Sequence, residues 1–338
     1  MTKKILVTLG PSSLSEYIIR KCADQGVYVF RINLSHTPLK DVEPTINKIR
    51  QWTDVPICLD SEGAQMRNEN MKSGAVVFSC GDHIKIHFDS IIGDFDNISF
   101  TPLGIARKFA IGDVISVDFD HASFRIDEIH DDYCLASITN GGEVGSNKAA
   151  DITRELEFDP LTEKDLGAIR IGLDNGIRHF ALSFANRRED VEQMRAVCGP
   201  DANIICKIES PSGLANLEEI IELADEILID RGDLSRRIAI EKVPFLQRRI
   251  IAMARARKTP VFVATNLLES MVSRKSPTRA EVNDVVSTLL MGADGLVLAA
   301  ETAIGEYPDK AVEMVRKLIV EYEMWTPNTT IDDILKSC

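Results

Sequence analysis

Charged and polar side chains follow five short apolar segments of this 338-residue chain, each at the position where a β-strand would end. The five groups combine carboxylates, amides or hydroxyls with basic side chains: Arg31-Ile-Asn33-Leu-Ser35-His36, Asp60-Ser61-Glu62, Lys207-Ile-Glu209-Ser210, Asp230-Arg231-Gly232-Asp233 and Thr265-Asn266. When parallel strands form one barrel, their carboxyl ends meet at one face. The sequence therefore predicts that these groups converge on a single polar site.

Glu209 and Asp233 are the predicted ligands of a divalent metal ion. They follow neighbouring predicted strands, and two carboxylates with open coordination positions suit Mg²⁺ or Mn²⁺, which prefer oxygen and retain water or substrate phosphate as further ligands. A salt-bridged arrangement with Arg231 or Lys207 is the alternative. Zinc is disfavoured, because the six histidines are scattered and the cysteines do not pair.

Lys207 precedes Glu209 by two residues, so in a β-strand the two side chains point the same way. A cation beside a metal-binding carboxylate suits a phosphoryl group in transfer, because catalysis there consists mainly of positioning and electrostatic stabilisation. Arg31 is predicted to add a bidentate contact to the same group. Taken by itself, the pair at 207 and 209 also fits a simple ion pair.

Two further segments are weaker candidates for binding. Asn33, Ser35 and Asp60 offer oxygen atoms without excess positive charge, which fits a monovalent cation site, although Asn and Ser at a strand exit often cap helices. The glycine-rich segment from Asn140 to Lys148 ends in a lysine, and it is either a ligand-binding turn or a hairpin.

The elements that must position these residues form a repeated pattern. Eight short apolar runs rich in β-branched residues are predicted strands: Ile5–Leu9, Val27–Ile32, Ile57–Leu59, His179–Phe184, Ile204–Ile208, Ile227–Ile229, Val261–Val263 and Leu296–Leu298. Each precedes an amphipathic stretch of helical length, near residues 14–25, 38–52, 162–175, 188–198, 213–224, 242–257, 278–291 and 308–324. Eight such units predict a closed (β/α)8 TIM barrel. An open doubly wound sheet would want a glycine-rich phosphate turn after an early strand, and the sequence has none.

Residues 68–157 interrupt this pattern with segments that alternate apolar and polar residues at period two. They predict an antiparallel β domain inserted after the third strand. Because loops that follow barrel strands lie on the catalytic face, we expect this β-barrel insert to act as a lid over that face. The predicted boundaries are a catalytic barrel at 1–67 and 158–328, a lid at 68–157 and a short tail at 329–338.

Composition narrows the class of protein. The formal net charge of −13 disfavours a nucleic-acid partner, and 44% hydrophobic with 27% charged residues is typical of a folded globular chain. No apolar run reaches the length of about 18 residues that a membrane helix needs, and the N-terminus lacks the apolar stretch of a signal peptide. The seven cysteines, at 22, 58, 80, 134, 198, 206 and 338, form no CxxC pair. They fit reduced thiols in a cytoplasmic protein without membrane contact.

Nine segments resemble the pyruvate kinase family in order and approximate spacing: TLGPSS, FRINLSH, LDSEGAQMR, NGGEVGSNK, CKIES, DRGDL, ATNLLESM, SPTRAEVNDV and AAETAIGEYP. The resemblance runs from residue 3 to about 324. It implies a barrel with a β-rich lid and transfer of a phosphoryl group between phosphoenolpyruvate, or a close analogue, and ADP with Mg²⁺ or Mn²⁺. The family normally continues with a C-terminal regulatory domain, so a short form without it is expected, with a possible homo-oligomer through barrel contacts.

The resemblance also implies roles for matching residues. Arg31 and Lys207 contact the phosphoryl group, Lys207 steadies the enolate, and Glu209 and Asp233 hold the divalent metal. The enolpyruvate carboxylate is bound by the backbone of the turn at 231–233, including Gly232 and Asp233, and by Thr265, which also helps in protonation. The monovalent cation, K⁺, is assigned to Asn33, Ser35, Asp60 and Ser61, and the nucleotide phosphates to His36, Arg67 and Lys148.

Several positions depart from the family pattern. Glu62 stands where the family has lysine, and Gln65 replaces a glutamate that accompanies potassium dependence, which leaves the need for K⁺ open. Asn266 is one methylene shorter than the family's glutamine. Asp230 replaces an alanine and brings a negative charge beside the pocket for the substrate carboxylate, where like charges about 4 Å apart repel by about 4 kcal/mol at an effective dielectric of about 20. Either Asp230 points away, or the substrate differs.

Two other classes of function compete with the phosphotransferase. A metal-dependent lyase or aldolase acting on a pyruvate enolate would need the metal but not Lys148, and Asp230 would then be its general base or specificity residue. A non-catalytic binding protein descended from the kinase would turn over no nucleotide. The metal pair and Lys207 are present, which disfavours that third alternative.

Overall fold

The computed structural model describes residues 2–63, 65–118, 121–154, 156 and 158–336. The chain divides into two compact units, Met1–Gly63 with Pro160–Cys338 and Ala64–Asp159. Two positions used in the sequence analysis, Ala64 of the LDSEGAQMR segment and Cys338, lie outside the described residues. None of the helices in the described ranges has the length and apolar character needed to cross a membrane.

Strands and helices are numbered here along the described chain. The strands are β1 (Lys4–Leu9), β2 (Val29–Asn33), β3 (Ile57–Asp60), β4 (Met66–Asn68), β5 (Ala75–Val77), β6 (His83–His87), β7 (Asn97–Thr101), β8 (Val114–Val117), β9 (Ala122–Ile129), β10 (Tyr133–Asn140), β11 (Glu143–Gly145), β12 (Ala149–Ile152), β13 (His179–Leu182), β14 (Asn203–Ile208), β15 (Glu226–Asp230), β16 (Val261–Ala264) and β17 (Gly295–Leu298). The helices are α1 (Glu16–Asp24), α2 (Leu39–Arg50), α3 (Glu163–Asp174), α4 (Arg188–Cys198), α5 (Pro211–Ala215), α6 (Leu217–Leu223), α7 (Arg231–Arg237), α8 (Val243–Ala256), α9 (Arg279–Met291), α10 (Ala300–Ala303), α11 (Pro308–Met324) and α12 (Ile331–Lys336).

The first unit is a closed barrel of eight parallel strands, in the order β1, β17, β16, β15, β14, β13, β3 and β2. Each of the eight predicted apolar runs overlaps one of these strands, and each predicted helical stretch contains a helix. The prediction of a TIM barrel is therefore confirmed. The pattern was readable because strands buried on both faces are continuous apolar runs, whereas the covering helices repeat apolar residues with a period of about 3.6.

The barrel interior is filled by a layer of nine apolar side chains drawn from all eight strands: Leu6, Val29, Cys58, Ala181, Ile205, Leu228, Phe262, Ala264 and Val297. Each is almost inaccessible to solvent. Because side chains alternate along a strand, the residue two positions further on from each of these also points to the barrel axis. This waist layer thus determines which residues form the polar layer at the carboxyl end.

The short helices that were not predicted from the sequence include α7 and α12. The segment Arg231-Gly232-Asp233, predicted as a turn, is the first turn of α7, and the tail predicted at 329–338 contains α12. Asp230 is the N-cap of α7 and its side chain accepts a hydrogen bond from the Gly232 amide, a usual device for starting a helix. Both helices are short, and a run of seven residues or fewer shows too little periodicity to be recognised.

The second unit is a closed barrel of seven strands, in the order β10, β6, β7, β4, β12, β8 and β9, beside a two-stranded pair of β5 and β11. The prediction of an antiparallel insert was wrong in one respect, because β6 and β7 pair in parallel. The period-two alternation shows which face of a strand is buried, but it does not reveal the direction of the neighbouring strand. That this unit covers the catalytic face stays a prediction.

Candidate active site

A polar layer lies directly beyond the waist layer, at the carboxyl ends of the barrel strands. Its members each follow a waist residue by two positions, and they are Thr8, Arg31, Asp60, Ser183, Lys207 and Asp230. All six side chains are buried. The predicted convergence of strand-end residues is borne out by the contacts among them, which follow.

Lys207 lies at the centre of this layer. Its Nζ is 3.0 Å from the Ser183 hydroxyl, 2.9 Å from Glu209 Oε1 and 3.4 Å from Asp60 Oδ1. Burial lowers the pKa of Lys207, but the charges of Asp60, Glu209 and Asp230 outweigh burial and hold that pKa well above its ordinary value. The ammonium is therefore charged at every physiological pH.

Arg31 and Asp60 form a second buried ion pair. Arg31 Nη1 is 3.2 Å from Asp60 Oδ2, and Arg31 Nε donates a 3.0 Å hydrogen bond to the Thr8 hydroxyl. Asp60 thus stands between the two cations Arg31 and Lys207. Because buried long side chains held by several partners lose little further entropy on binding, both cations are positioned in advance for an anion.

Three carboxylates converge beside Lys207. Glu209, Asp230 and Asp233 each offer one oxygen, and these oxygens lie within 4.8 Å of one another. Glu209 Oε2 accepts a 2.7 Å hydrogen bond from the Phe184 amide, whereas Glu209 Oε1 has an ion pair with Lys207 but no hydrogen-bond partner in the described ranges. Burial raises the pKa of both Glu209 and Asp233. An all-oxygen group with this crowding of negative charge fits a hard divalent cation.

The salt bridges considered from the sequence are only partly present. Lys207 does pair with Glu209, but Arg231 turns away from the carboxylates, and its Nη1 lies 2.7 Å from Asp284. Asp233 has a 3.4 Å contact with Arg236, one helical turn further on. The three carboxylates of Glu209, Asp230 and Asp233 are therefore not neutralised by a close ion pair with an arginine of α7.

Asp230 does not point away from the site. Its Oδ1 accepts a 3.1 Å hydrogen bond from the Gly232 amide and a 2.6 Å hydrogen bond from the Thr265 hydroxyl. A Cβ atom at Gly232 would lie 2.7 Å from Thr265 Cγ2, so this close approach requires glycine. The two groups that the family resemblance assigns to a substrate carboxylate are thus already bound to a carboxylate of the protein.

Backbone strain is concentrated around the same groups. Phe184, Thr265 and Asn266 have φ angles of 51°, 75° and 56°, in the left-handed region that bulky or branched residues rarely adopt. Phe184 follows the end of β13 and presents its amide to Glu209, while Thr265 follows β16 and presents its hydroxyl to Asp230. Strain of this kind is typical of functional sites, where the surrounding structure enforces it.

The residues assigned to a monovalent cation lie at the ends of β2 and β3, where Asn33 and Asp60 are register partners. Asn33 Oδ1 accepts a 2.9 Å hydrogen bond from the Ser35 amide, and the Ser61 hydroxyl accepts one of 2.9 Å from the Ser183 amide. Each of these oxygens thus has a partner from the protein. Binding of K⁺ here stays a prediction.

Two of the three residues assigned to nucleotide phosphates lie together in the second unit. Arg67, predicted within the catalytic barrel, is on β4 and donates a 2.9 Å hydrogen bond to the Asn147 carbonyl. Lys148 is the residue after Asn147, and its Nζ lies 3.0 Å from Asp118. His36 belongs to the first unit and is exposed just after β2.

The glycine-rich segment before Lys148 is not a hairpin. It contains β11 and joins β10 to β12, and β11 pairs with β5 in a different sheet from β10. A Cβ at Gly141 would lie 2.6 Å from the Phe78 carbonyl oxygen, and one at Gly142 would overlap the His121 carbonyl. The two glycines are thus required by close backbone packing, which explains them without a ligand.

The residues of the site that were missed from the sequence include the buried Thr8, Ser183 and Asp165 and the half-buried Phe184. Ser183 and Phe184 follow the fourth barrel strand, and the signal for Ser183 was present, since it is a polar residue at a strand end like the five groups that were noticed. Asp165 accepts hydrogen bonds from the amides of Glu62 (2.7 Å) and Gly63 (3.2 Å) while closing the capping box of α3. No local pattern distinguishes this carboxylate from an ordinary capping residue.

Comparison with known proteins agrees with this geometry. The family model for the pyruvate kinase barrel domain matches residues 1–312. A pyruvate kinase of Mycobacterium intracellulare is 33% identical over 329 residues, which cover 95% of this chain and 70% of that protein. Pyruvate kinases of Thermotoga maritima (34% identical, 95% of this chain and 71% of that protein) and Thermococcus litoralis (33%, 93% and 68%) are similarly close. The chain therefore belongs to the pyruvate kinase family.

Proposed function

We propose that this protein catalyses metal-dependent phosphoryl transfer of the pyruvate kinase type, between an enol phosphate such as phosphoenolpyruvate and ADP. The observation that supports this most is the buried Lys207 ammonium, held 2.9 Å from Glu209 at the edge of a three-carboxylate group. A fixed cation beside a divalent-metal site is the arrangement that phosphoryl transfer requires.

The residues at the carboxyl end of the barrel have different roles in this reaction. Glu209 and Asp233 would hold Mg²⁺ or Mn²⁺, which when bound neutralises charge on the phosphoryl oxygens. Lys207 stabilises the negative charge that develops on the enol oxygen as the P–O bond breaks, and Arg31 contacts the phosphoryl oxygens. The pairing of both cations with Asp60 keeps them in place before the substrate arrives.

The nucleotide and the accessory cation complete the proposal. Arg67, Lys148 and His36 would contact the nucleotide phosphates, and the clustering of Arg67 with Lys148 in one unit supports a shared role for these two. K⁺ would lie near the ends of β2 and β3. The substrates are small molecules, and a cytoplasmic location and a homo-oligomer through barrel contacts belong to the same proposal.

The first test is a coupled assay with phosphoenolpyruvate, ADP and Mg²⁺, comparing wild type with Lys207→Gln and Lys207→Arg. We expect pyruvate formation that requires ADP, a loss of at least about a thousandfold in kcat for Lys207→Gln, and partial retention in Lys207→Arg, because removing a group that stabilises developing charge costs several kcal/mol. The exposed Lys40→Gln is the matched control. A thermal unfolding scan of each variant separates lost chemistry from lost folding.

The outcome also discriminates against the alternative chemistry. Turnover that is independent of ADP and survives Lys148→Ala would identify a lyase or aldolase and contradict the phosphotransferase. If folded wild type turned over no phosphoenolpyruvate with any nucleoside diphosphate, the result would support a non-catalytic protein instead.

A further inference from the structure

Asp230 engages the two donors that the family resemblance assigns to a substrate carboxylate. Gly232 N–H and the Thr265 hydroxyl both donate to Asp230 Oδ1, at 3.1 and 2.6 Å. A backbone amide and a hydroxyl that point together beside a metal site are natural donors for a carboxylate. Here both are satisfied from within the chain, by a side chain that is only 9% exposed.

The charges around this position add to the same conclusion. Within the described part of the site, the carboxylates are those of Asp60, Glu209, Asp230 and Asp233, and the cations in contact with them are Arg31, Lys207 and Arg236. The carboxylate oxygens of Glu209, Asp230 and Asp233 are mutually within 4.8 Å. A substrate carboxylate entering here would meet a fixed like charge and find its donors engaged.

We propose that Asp230 is a specificity-determining residue, and that the site prefers a phosphoryl donor with no carboxylate beside its enol phosphate group over phosphoenolpyruvate. The inference rests on the proposed phosphoryl transfer and defines the substrate class for it. Asp230 replaces the missing carboxylate within the protein and keeps Thr265 and the first turn of α7 in the geometry that an acidic substrate would otherwise impose.

The reaction of such a donor is balanced in the same way as that of phosphoenolpyruvate. The bond between phosphorus and the enol oxygen breaks, and a bond between phosphorus and a terminal oxygen of the ADP β-phosphate forms. The enolate that leaves keeps the electron pair of the broken bond, and it takes one proton at its methylene carbon to become a neutral ketone. Oxidant and reductant are not involved.

The test compares two probes that differ in one group: phosphoenolpyruvate and isopropenyl phosphate, which has a methyl group in place of the carboxylate. Binding of each is measured by titration calorimetry in the presence of Mn²⁺, for wild type, Asp230→Ala and Asp230→Asn. Asp174→Asn, an exposed position on α3, controls for the change in net charge. Asp230→Ala removes the N-cap of α7 and can therefore damage folding. Asp230→Asn keeps a side-chain oxygen that accepts from Gly232 and Thr265, so this variant is expected to stay folded.

Wild type is expected to bind isopropenyl phosphate at least tenfold more tightly than phosphoenolpyruvate. Asp230→Ala, which frees both donors, is expected to tighten phosphoenolpyruvate binding at least tenfold, and Asp230→Asn, which removes the charge alone, by a smaller factor. Tighter wild-type binding of phosphoenolpyruvate, unchanged in both variants, would overturn the inference. Failure of the proposed function is seen separately, as absence of ATP formation from either donor.

Discussion

At the scale of single residues, the site depends on how the Lys207 ammonium is held. Two carboxylates and the Ser183 hydroxyl surround it within 3.4 Å. Ser183 also donates a 2.7 Å hydrogen bond to the Ser61 carbonyl, so its position is fixed by β3 as well as β13. Ser183 is thus a positioning residue, since it acts on the phosphoryl group through Lys207.

Ser183→Ala is expected to lower kcat roughly tenfold or more, because a hydrogen bond to a charged group contributes about 1.5–3 kcal/mol. The KM for the enol phosphate is expected to change less than kcat, since Lys207 stays charged and near the site. Steady-state kinetics with the proposed substrates checks this. The exposed Ser273→Ala serves as control, and an unaltered kcat in folded Ser183→Ala would show that the hydroxyl has no positioning role.

At the scale of elements, the barrel strands and their helices were predictable, and the finer contacts were not. The runs at Ile204–Ile208 and Ile227–Ile229 are apolar on both faces, which fixed their parallel pairing with neighbours and the convergence of Lys207 and Asp230. The direction in which Asp230 points was left open, because it depends in part on the Thr265 hydroxyl, which follows β16 and is 35 residues away in sequence. The parallel pairing of β6 with β7 was hidden for the same reason, since it is decided by tertiary contacts.

The amino ends of the strands form a second polar group, opposite the active site. Lys4 Nζ lies 2.8 Å from Glu226 Oε1, and the Tyr28 hydroxyl donates to the same oxygen. The Tyr28 and His179 rings pack nearly perpendicular to each other, with their centroids 5.9 Å apart. Burial and the nearby Lys4 charge lower the pKa of His179, and its Nδ1 has no hydrogen-bond partner in the described ranges. Because the folded barrel favours the neutral form of His179, its free energy of unfolding depends on pH.

Since the pKa of His179 is lower in the folded barrel than in the unfolded chain, its contribution to stability is present above about pH 6.5 and is lost as the pH falls through the folded value. Wild type is therefore expected to lose more free energy of unfolding between pH 7.5 and pH 5.5 than His179→Phe, which cannot be protonated. Urea unfolding followed by tryptophan fluorescence measures this for the barrel, because Trp52 and Trp325 both lie in the first unit. Equal losses in the two proteins would contradict the assignment.

At the scale of the whole molecule, each unit has its own apolar core. The barrel core draws on strands and helices of the first unit, and a separate core of the second unit includes Phe78, Phe100 and Phe124. The end of the segment Met1–Gly63 is held by the first unit itself, because the amides of Glu62 and Gly63 both donate to Asp165 of α3. We therefore expect the barrel to fold without residues 64–159.

A variant with residues 64–159 replaced by a short Gly-Ser linker is expected to fold and to bind Mn²⁺ within about threefold of the wild-type affinity, because Glu209, Asp230 and Asp233 all belong to the first unit. It is expected to lose ADP-dependent transfer, since Arg67 and Lys148 are removed. Circular dichroism and Mn²⁺ titration by electron paramagnetic resonance measure the two properties. The same deletion carrying Glu209→Gln should bind Mn²⁺ at least tenfold more weakly, and loss of Mn²⁺ from the folded deletion variant would contradict the independence of the two units.

The layer of nine apolar side chains across the barrel has a kinetic consequence. It closes the barrel beneath Lys207, so a molecule that binds at the polar layer approaches from the carboxyl ends of the strands and leaves the same way. Access at that end therefore governs how fast a ligand bound beside Lys207 can exchange.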